Sequence, residues 1–198
     1  LRAAATAGGL VVIGAAVVAG RRGMLEGAAD TVGGWMDAAV DYLGGAALDM
    51  QNANLQAFLR MIRYAEGTAS ANGYRMLFGG RLFEGYADHP RIAVTAKSGG
   101  KSITSTAAGA YQILARTWDA FKAQAGVSDF SPASQDRVAV MLIRSRGALG
   151  DVYAGRLEDA VRKCAREWAS LPGSPYGQPV KSMEQVAAVY TGAGGFVA

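Results

Sequence analysis

The chain has 198 residues, 51% of them hydrophobic and 18% charged, with a net charge of +4. That apolar, lightly charged make-up excludes a disordered segment, and the length suits one domain of about 100–200 residues with an appendage. A single cysteine, Cys164, and a single histidine, His89, exclude an internal disulfide and speak against a zinc site or a Ser/His/Asp triad, so no metal and no cofactor is expected.

The charge is uneven: residues 1–50 carry −2 and residues 51–198 carry +6. A modestly basic body suits an anionic partner such as lipid headgroups or an acidic wall polymer. There is no dense Lys/Arg run, so nucleic acid is not an expected partner.

Ala3 to Gly20 is an uncharged stretch of 18 residues between Arg2 and Arg21-Arg22. It is long enough to span a bilayer. Seven of its residues are Ala and four are Gly, so its preference for lipid is slight. The reading adopted for residues 1–22 is a weak, reversible membrane anchor; a cleaved signal peptide and a buried Ala/Gly helix are the alternatives. Residues 23–50 read as an amphipathic helical linker, with Leu25, Val32, Trp35, Met36 and Leu43 on one face and Glu26, Asp30, Asp37 and Asp41 on the other. Residues 51–198 form the expected main domain.

That domain opens with a helix whose apolar stripe is Leu55, Phe58, Leu59 and Ile62, with Arg60 and Arg63 off the stripe and Gly67 as its stop. Glu66 thus falls at the helix end. The negative end of the helix dipole and burial both push a carboxyl toward its neutral form. A carboxylic acid that keeps its proton near neutrality is what glycoside cleavage needs as general acid. The plain alternative is a surface Glu at a frayed end.

Tyr74 to Phe78, Gly79-Gly80 and Arg81 to Phe83 read as a β-hairpin. Gly85 to Thr106 reads as a polar loop, with His89 before Pro90 as a turn residue. Ser98-Gly99-Gly100-Lys101-Ser102 lacks the upstream glycine of a phosphate loop. Helices are expected over Tyr111 to Ala125, from Ser131-Pro132 through Leu142, over Leu157 to Leu171 with Cys164 as a structural thiol, and from a Ser182/Gln185 capping box. The layout is α+β and mostly helical, a helical lobe with a small hairpin lobe flanking a cleft.

Seven blocks in one order over residues 55–179 resemble a known family. They are Ala65-Glu66-Gly67-Thr68, Gly79-Gly80-Arg81-Leu82-Phe83, Tyr86-Ala87-Asp88-His89-Pro90, Ala108-Gly109-Ala110-Tyr111-Gln112, Asp129-Phe130-Ser131-Pro132, Arg146-Gly147-Ala148-Leu149, and Trp168 to Gly173 running into Tyr176-Gly177-Gln178. They are similar to the lambda-type phage endolysins, peptidoglycan lytic transglycosylases with a lysozyme-like fold. The resemblance implies that Glu66 is the catalytic acid and that Tyr74, Tyr111, Gln112, Tyr176 and Gln178 line the substrate cleft. It implies peptidoglycan glycan strands as substrate; a monomer is expected. Arg75 stands where the lambda enzyme has an acid, and the segment between Glu66 and Tyr74 is shorter than in that enzyme.

The front of the chain looks like a signal-anchor-release segment. Residues 1–20 would hold an inactive form transiently in the inner membrane, to be released to the periplasm. No cysteine lies in residues 1–50, so release would proceed by refolding and not by thiol exchange. The expected reaction is non-hydrolytic, giving 1,6-anhydro-muramic ends. The alternatives are a hydrolytic muramidase that uses Glu84 or Asp88 to place a water, and a non-enzymatic membrane- and wall-binding protein, with residues 1–50 as a membrane-active helix pair.

Overall fold

The computed structural model describes residues 49–98 and 101–198, so the anchor expected over 1–22 and nearly all of the linker expected over 23–50 lie outside the described residues. Among the described residues no helix is long and apolar enough to cross a membrane.

Helix α1, Ala53–Ala65, is the hub. Asn52 caps it by accepting the Leu55 amide, and Leu55, Phe58 and Ile62 are wholly buried. α1 packs against the helices that follow: α3 (Pro132–Ser145), α4 (Leu149–Tyr153) and α6 (Met183–Gly192). α2 (Ala115–Phe121) and α5 (Leu157–Cys164) complete the six described helices. Ser131 caps α3 with Pro132 in its first turn, and Ser182 and Gln185 form the capping box of α6, as the sequence predicts.

The sheet lies where the sequence suggested a loop. Strands β1 (Val94–Ser98) and β2 (Lys101–Ser105) pair antiparallel, with Val94 opposite Ser105 and Ser98 opposite Lys101. Val94, Ala96, Ile103 and Ser105 are half-buried, whereas Thr95, Lys97, Ser102 and Thr104 are exposed. That is the period of two expected of a half-covered hairpin.

The hairpin expected over Tyr74 to Phe83 is reduced to one bridge, Met76 to Leu82, after a 3₁₀ turn over Gly73–Arg75. Its arms still bond each other, Leu77 N–H to the Arg81 carbonyl and Phe83 N–H to the Arg75 carbonyl, but the first arm is shared: Phe78 N–H donates to the Ala107 carbonyl and Gly109 N–H to the Met76 carbonyl. Two predicted helices are shorter than expected. Gln112 has φ +46 and Ile113 pairs back with Ala108, so the helix expected from Tyr111 starts only at Ala115. α5 stops at Cys164, where Glu167 N–H and Trp168 N–H both turn back to the Cys164 carbonyl. Cys164 is fully buried and its thiol is pushed up to about 12 by burial, which makes it a structural residue. His89 is a turn residue that is also buried: its Nδ1 accepts Arg91 N–H at 3.0 Å, so Nε2–H donates to the Ile113 carbonyl at 2.8 Å.

One buried amide joins the two lobes. Gln135 of α3 accepts Ala110 N–H at 2.9 Å and donates to the carbonyls of Tyr74 at 3.0 Å and Phe130 at 2.8 Å. Gly109 must be glycine beside it, because an added Cβ would lie 2.2 Å from Gln135 Oε1. Gln135→Ala strips three backbone groups of their partner in a sealed site. The expected loss is about 3 kcal/mol or more in urea unfolding. A loss below about 1 kcal/mol would mean that water replaces the amide without penalty.

Candidate active site

Glu66 is placed by the way α1 ends. It is the C-cap residue, and its N–H still bonds the Ile62 carbonyl. Gly67 then turns with φ +74, Gly67 N–H donates to the Tyr64 carbonyl at 3.1 Å, and Thr68 N–H to the Arg63 carbonyl at 2.8 Å. This pair of reversed bonds is the Schellman ending, which favours glycine at the residue after the cap. Thr68 is wholly buried, and its hydroxyl reaches both the Arg63 and the Ala110 carbonyls. Gly73 closes over it so tightly that a Cβ there would collide with the Thr68 carbonyl oxygen.

The Glu66 side chain is partly buried and accepts a hydrogen bond from the Ser170 hydroxyl at 2.5 Å. Burial raises the carboxyl above its usual range, and the hydrogen bonds from Ser170 oppose that rise. The negative end of α1 adds to the raising side. Among the described residues no other carboxylate shares a hydrogen bond or ion pair with Glu66. Glu84 is exposed and pairs with Arg75 at 3.1 Å. Asp88 accepts Trp118 Nε1–H at 2.7 Å and Arg91 Nη2–H at 3.1 Å. Its partial burial is outweighed by hydrogen bonds with His89, Trp118 and Arg91, which hold its carboxyl below the usual range. No cluster of His, Cys, Asp or Glu among the described residues fits a metal ion.

The five expected cleft residues divide. Tyr111 is 1% exposed, so its ring packs in the core and offers no face to a sugar. The Tyr111 hydroxyl donates to Asp136 at 2.6 Å, and its carbonyl accepts Trp168 Nε1–H at 3.1 Å. Burial, followed by the neighbouring Asp136 charge, pushes its phenol well above the usual value. The Tyr74 hydroxyl donates to the same carboxylate at 2.8 Å, with the Arg63 guanidinium 4.6 Å above its ring centre. Tyr74 and Tyr111 line a cavity of about 360 Å³ with Arg63, Asp136 and Ala69. Gln112 is half-buried, held through Nε2 to the Met76 and Gly109 carbonyls at 3.2 and 3.1 Å. Its left-handed backbone is a strained position for a residue other than glycine, of the kind that collects at functional sites. Tyr176 is 56% exposed and lines a second cavity of about 540 Å³, and Gln178 is exposed on the same loop.

Glu66 itself lines neither cavity. Ala69, three residues beyond it, lines the smaller, and Arg166 and Glu167, just before Ser170, line the larger. Sequence reasoning missed Ser170, Gln135 and Asp136. Ser170 and its neighbours were visible only as part of a matched block, and Gln135 and Asp136 carried no local signal.

A general acid works in its protonated form, so activity falls as pH rises through the Glu66 pKa. Ser170→Ala removes a bond that favours the ionised form, so that pKa rises further. The alkaline limb of the kcat/KM profile is expected to move to higher pH. A limb that stays in place or moves to lower pH would remove Ser170 from control of this carboxyl.

Comparison with known proteins gives the family and the fold. A family model described as Endolysin matches residues 56–197. The endolysin of Escherichia phage lambda is 43% identical over 152 residues, covering 74% of this chain and 94% of that protein. The endolysin of Escherichia phage P2 is 43% identical over 156 residues, covering 72% and 93%. A solved structure of bacteriophage lambda lysozyme complexed with a chitohexasaccharide matches with a TM-score of 0.69 at 42% identity, over 74% of this chain and 97% of that one. The α+β, mostly helical layout expected from the sequence is therefore the lambda lysozyme fold. With the family model matching well over half of its length, the chain belongs to the endolysin family.

Proposed function

We propose that the protein cleaves the β-1,4 bond between N-acetylmuramic acid and N-acetylglucosamine in peptidoglycan by transglycosylation, and so lyses a bacterial host. The observation that carries this reading is one carboxyl, Glu66, held toward its neutral form and, among the described residues, bonded to a serine hydroxyl and to no second acid. Hydrolytic glycosidases commonly use two carboxyl groups, about 5–5.5 Å apart when retaining and about 6.5–9.5 Å apart when inverting. Glu84 is paired with Arg75, and Asp88 is engaged by Trp118 and Arg91, which counts against the hydrolytic alternative. The chitohexasaccharide bound by the lambda enzyme supports a glycan as substrate.

The chemistry needs no water. The Glu66 proton passes to the glycosidic oxygen, which leaves as the 4-hydroxyl of N-acetylglucosamine as the C1–O bond breaks. The muramic 6-hydroxyl oxygen then bonds to C1, and its proton returns to Glu66. Because the nucleophile belongs to the same sugar, the second step is intramolecular and gains a large effective concentration. Ser170 supports the ionised interval by its hydrogen bond to Glu66. Gln112, Tyr176 and Gln178 are assigned to contacts with sugar hydroxyl and N-acetyl groups. The hydroxyls of Tyr74, which lines the smaller cavity, and of the buried Tyr111 are both held by Asp136.

Mass spectrometry of digested sacculi tests this directly. The expected muramic ends are one water lighter than reducing ends; reducing ends alone would establish the hydrolytic route. Glu66→Gln is expected to lower the rate at least about a hundredfold. A variant as fast as the parent would end the enzymatic reading of Glu66.

We infer further that residues 1–20 act as a transient inner-membrane anchor, from which the active form is released to the periplasm. The uncharged 18-residue stretch between arginines supports this. Fractionation of cells expressing the full chain is expected to recover it first with membranes. Recovery only from the cytosol would contradict the anchor.

A further inference from the structure

The larger cavity has a charge pattern that glycan chemistry does not use. Arg116, Thr117 and Phe121 of α2 face Arg146, Arg166 and Tyr176 across about 540 Å³. Arg146 is committed to Glu167, with Nε at 3.0 Å and Nη2 at 2.5 Å from Oε2. Arg116 and Arg166 have no ion-pair partner among the described residues. The cavity therefore carries three guanidiniums and one carboxylate, beside the apolar side chains of Leu114 and Phe121. A concave site with surplus positive charge concentrates anions, and a guanidinium pairs with a carboxylate through two parallel bonds.

Its place relative to Glu66 limits the choice of anion. Arg166 lies four residues before Ser170, whose hydroxyl holds Glu66, so their Cα atoms are at most about 14 Å apart. The exposed Tyr176 is fixed there too, its hydroxyl donating to the Arg166 carbonyl at 2.8 Å. The muramic sugar at the scissile bond bears a peptide stem with several free carboxylates. A stem of four or five residues spans about 13–18 Å when extended. A stem of that length is long enough to cover the Arg166–Ser170 separation.

We propose that this cavity is a subsite for the stem carboxylates of peptidoglycan, with Arg116 and Arg166 as the residues that grip them. The assignment rests on the proposed glycan substrate and adds a determinant that recognises the stem. It makes intact wall a better substrate than glycan whose stems carry no charge.

The test compares native sacculi with sacculi whose stem carboxylates have been capped as neutral amides by carbodiimide coupling. The full-chain parent and the double variant Arg116→Gln/Arg166→Gln are assayed on both. On native wall the double variant is expected to show a KM about tenfold higher, the loss of one charge-assisted contact or more. Capping is expected to raise the KM of the parent similarly, and the two enzymes to converge on capped wall. The Arg116→Lys/Arg166→Lys variant, which keeps the charge, is expected to recover part of the difference on native wall only. An unchanged KM on native wall, or a defect of equal size on both walls, would overturn the subsite. Glu66→Gln on both walls tests the underlying glycosidase reading separately, since its activity does not depend on whether stems are gripped.

Discussion

The site depends on how one helix is made to stop. The Schellman ending at Glu66-Gly67-Thr68 reverses the chain within two residues, and the buried Thr68 hydroxyl ties that reversal to the Ala110 carbonyl. A carboxyl on a frayed helix end would sample many positions. Here the last turn of α1 is anchored by Ile62 and Ala65 in the core below and by Thr68 beyond, so the Glu66 backbone has one place to be. Gly73 and Gly109 are part of the same constraint, since each allows a backbone approach that any side chain would block.

On that fixed backbone, two opposing influences set the proton affinity of Glu66. Burial favours the neutral acid, and the Ser170 hydroxyl favours the anion. An acid that only gave its proton away would need the first alone. The transglycosylase cycle proposed above asks the group to give up a proton and recover it, and a partner that steadies the anion without abolishing the rise fits that demand. Asp136 collects the hydroxyls of Tyr74 and Tyr111 and stands near Arg63, while the Tyr111 carbonyl fixes Trp168 two residues before Ser170. The segment bearing Ser170 is thereby linked to α3 and α1, which keeps the hydrogen-bond partner of Glu66 in register.

What was legible in the sequence was local. The stripe Leu55, Phe58, Leu59 and Ile62 followed by Gly67 named the helix and put Glu66 at its end, because both signals lie within one short segment. The Ser131 and Ser182 caps were legible for the same reason. The sheet was misplaced because two Gly-Gly pairs compete. Aromatic runs favoured the one at Gly79-Gly80, yet its first arm is shared with Ala107 to Gly109, while the plainer alternation from Val94 to Ser105 forms the ladder. The burial of Tyr111, expected in the cleft, was not legible because its partner Asp136 lies 25 residues further on. Ser170 stands 104 residues from Glu66 and carries no mark of its pairing. Contacts of that range become visible only once the chain is folded.

The central claim is that the folded chain keeps Glu66 protonated to higher pH than an ordinary glutamate. Carbon-13 NMR of the side-chain carboxyl, assigned by its loss in Glu66→Gln and followed from acid to neutral pH, measures this most directly. The account predicts a titration midpoint above the usual range of a glutamate carboxyl. A Glu66 midpoint within or below that range would contradict it.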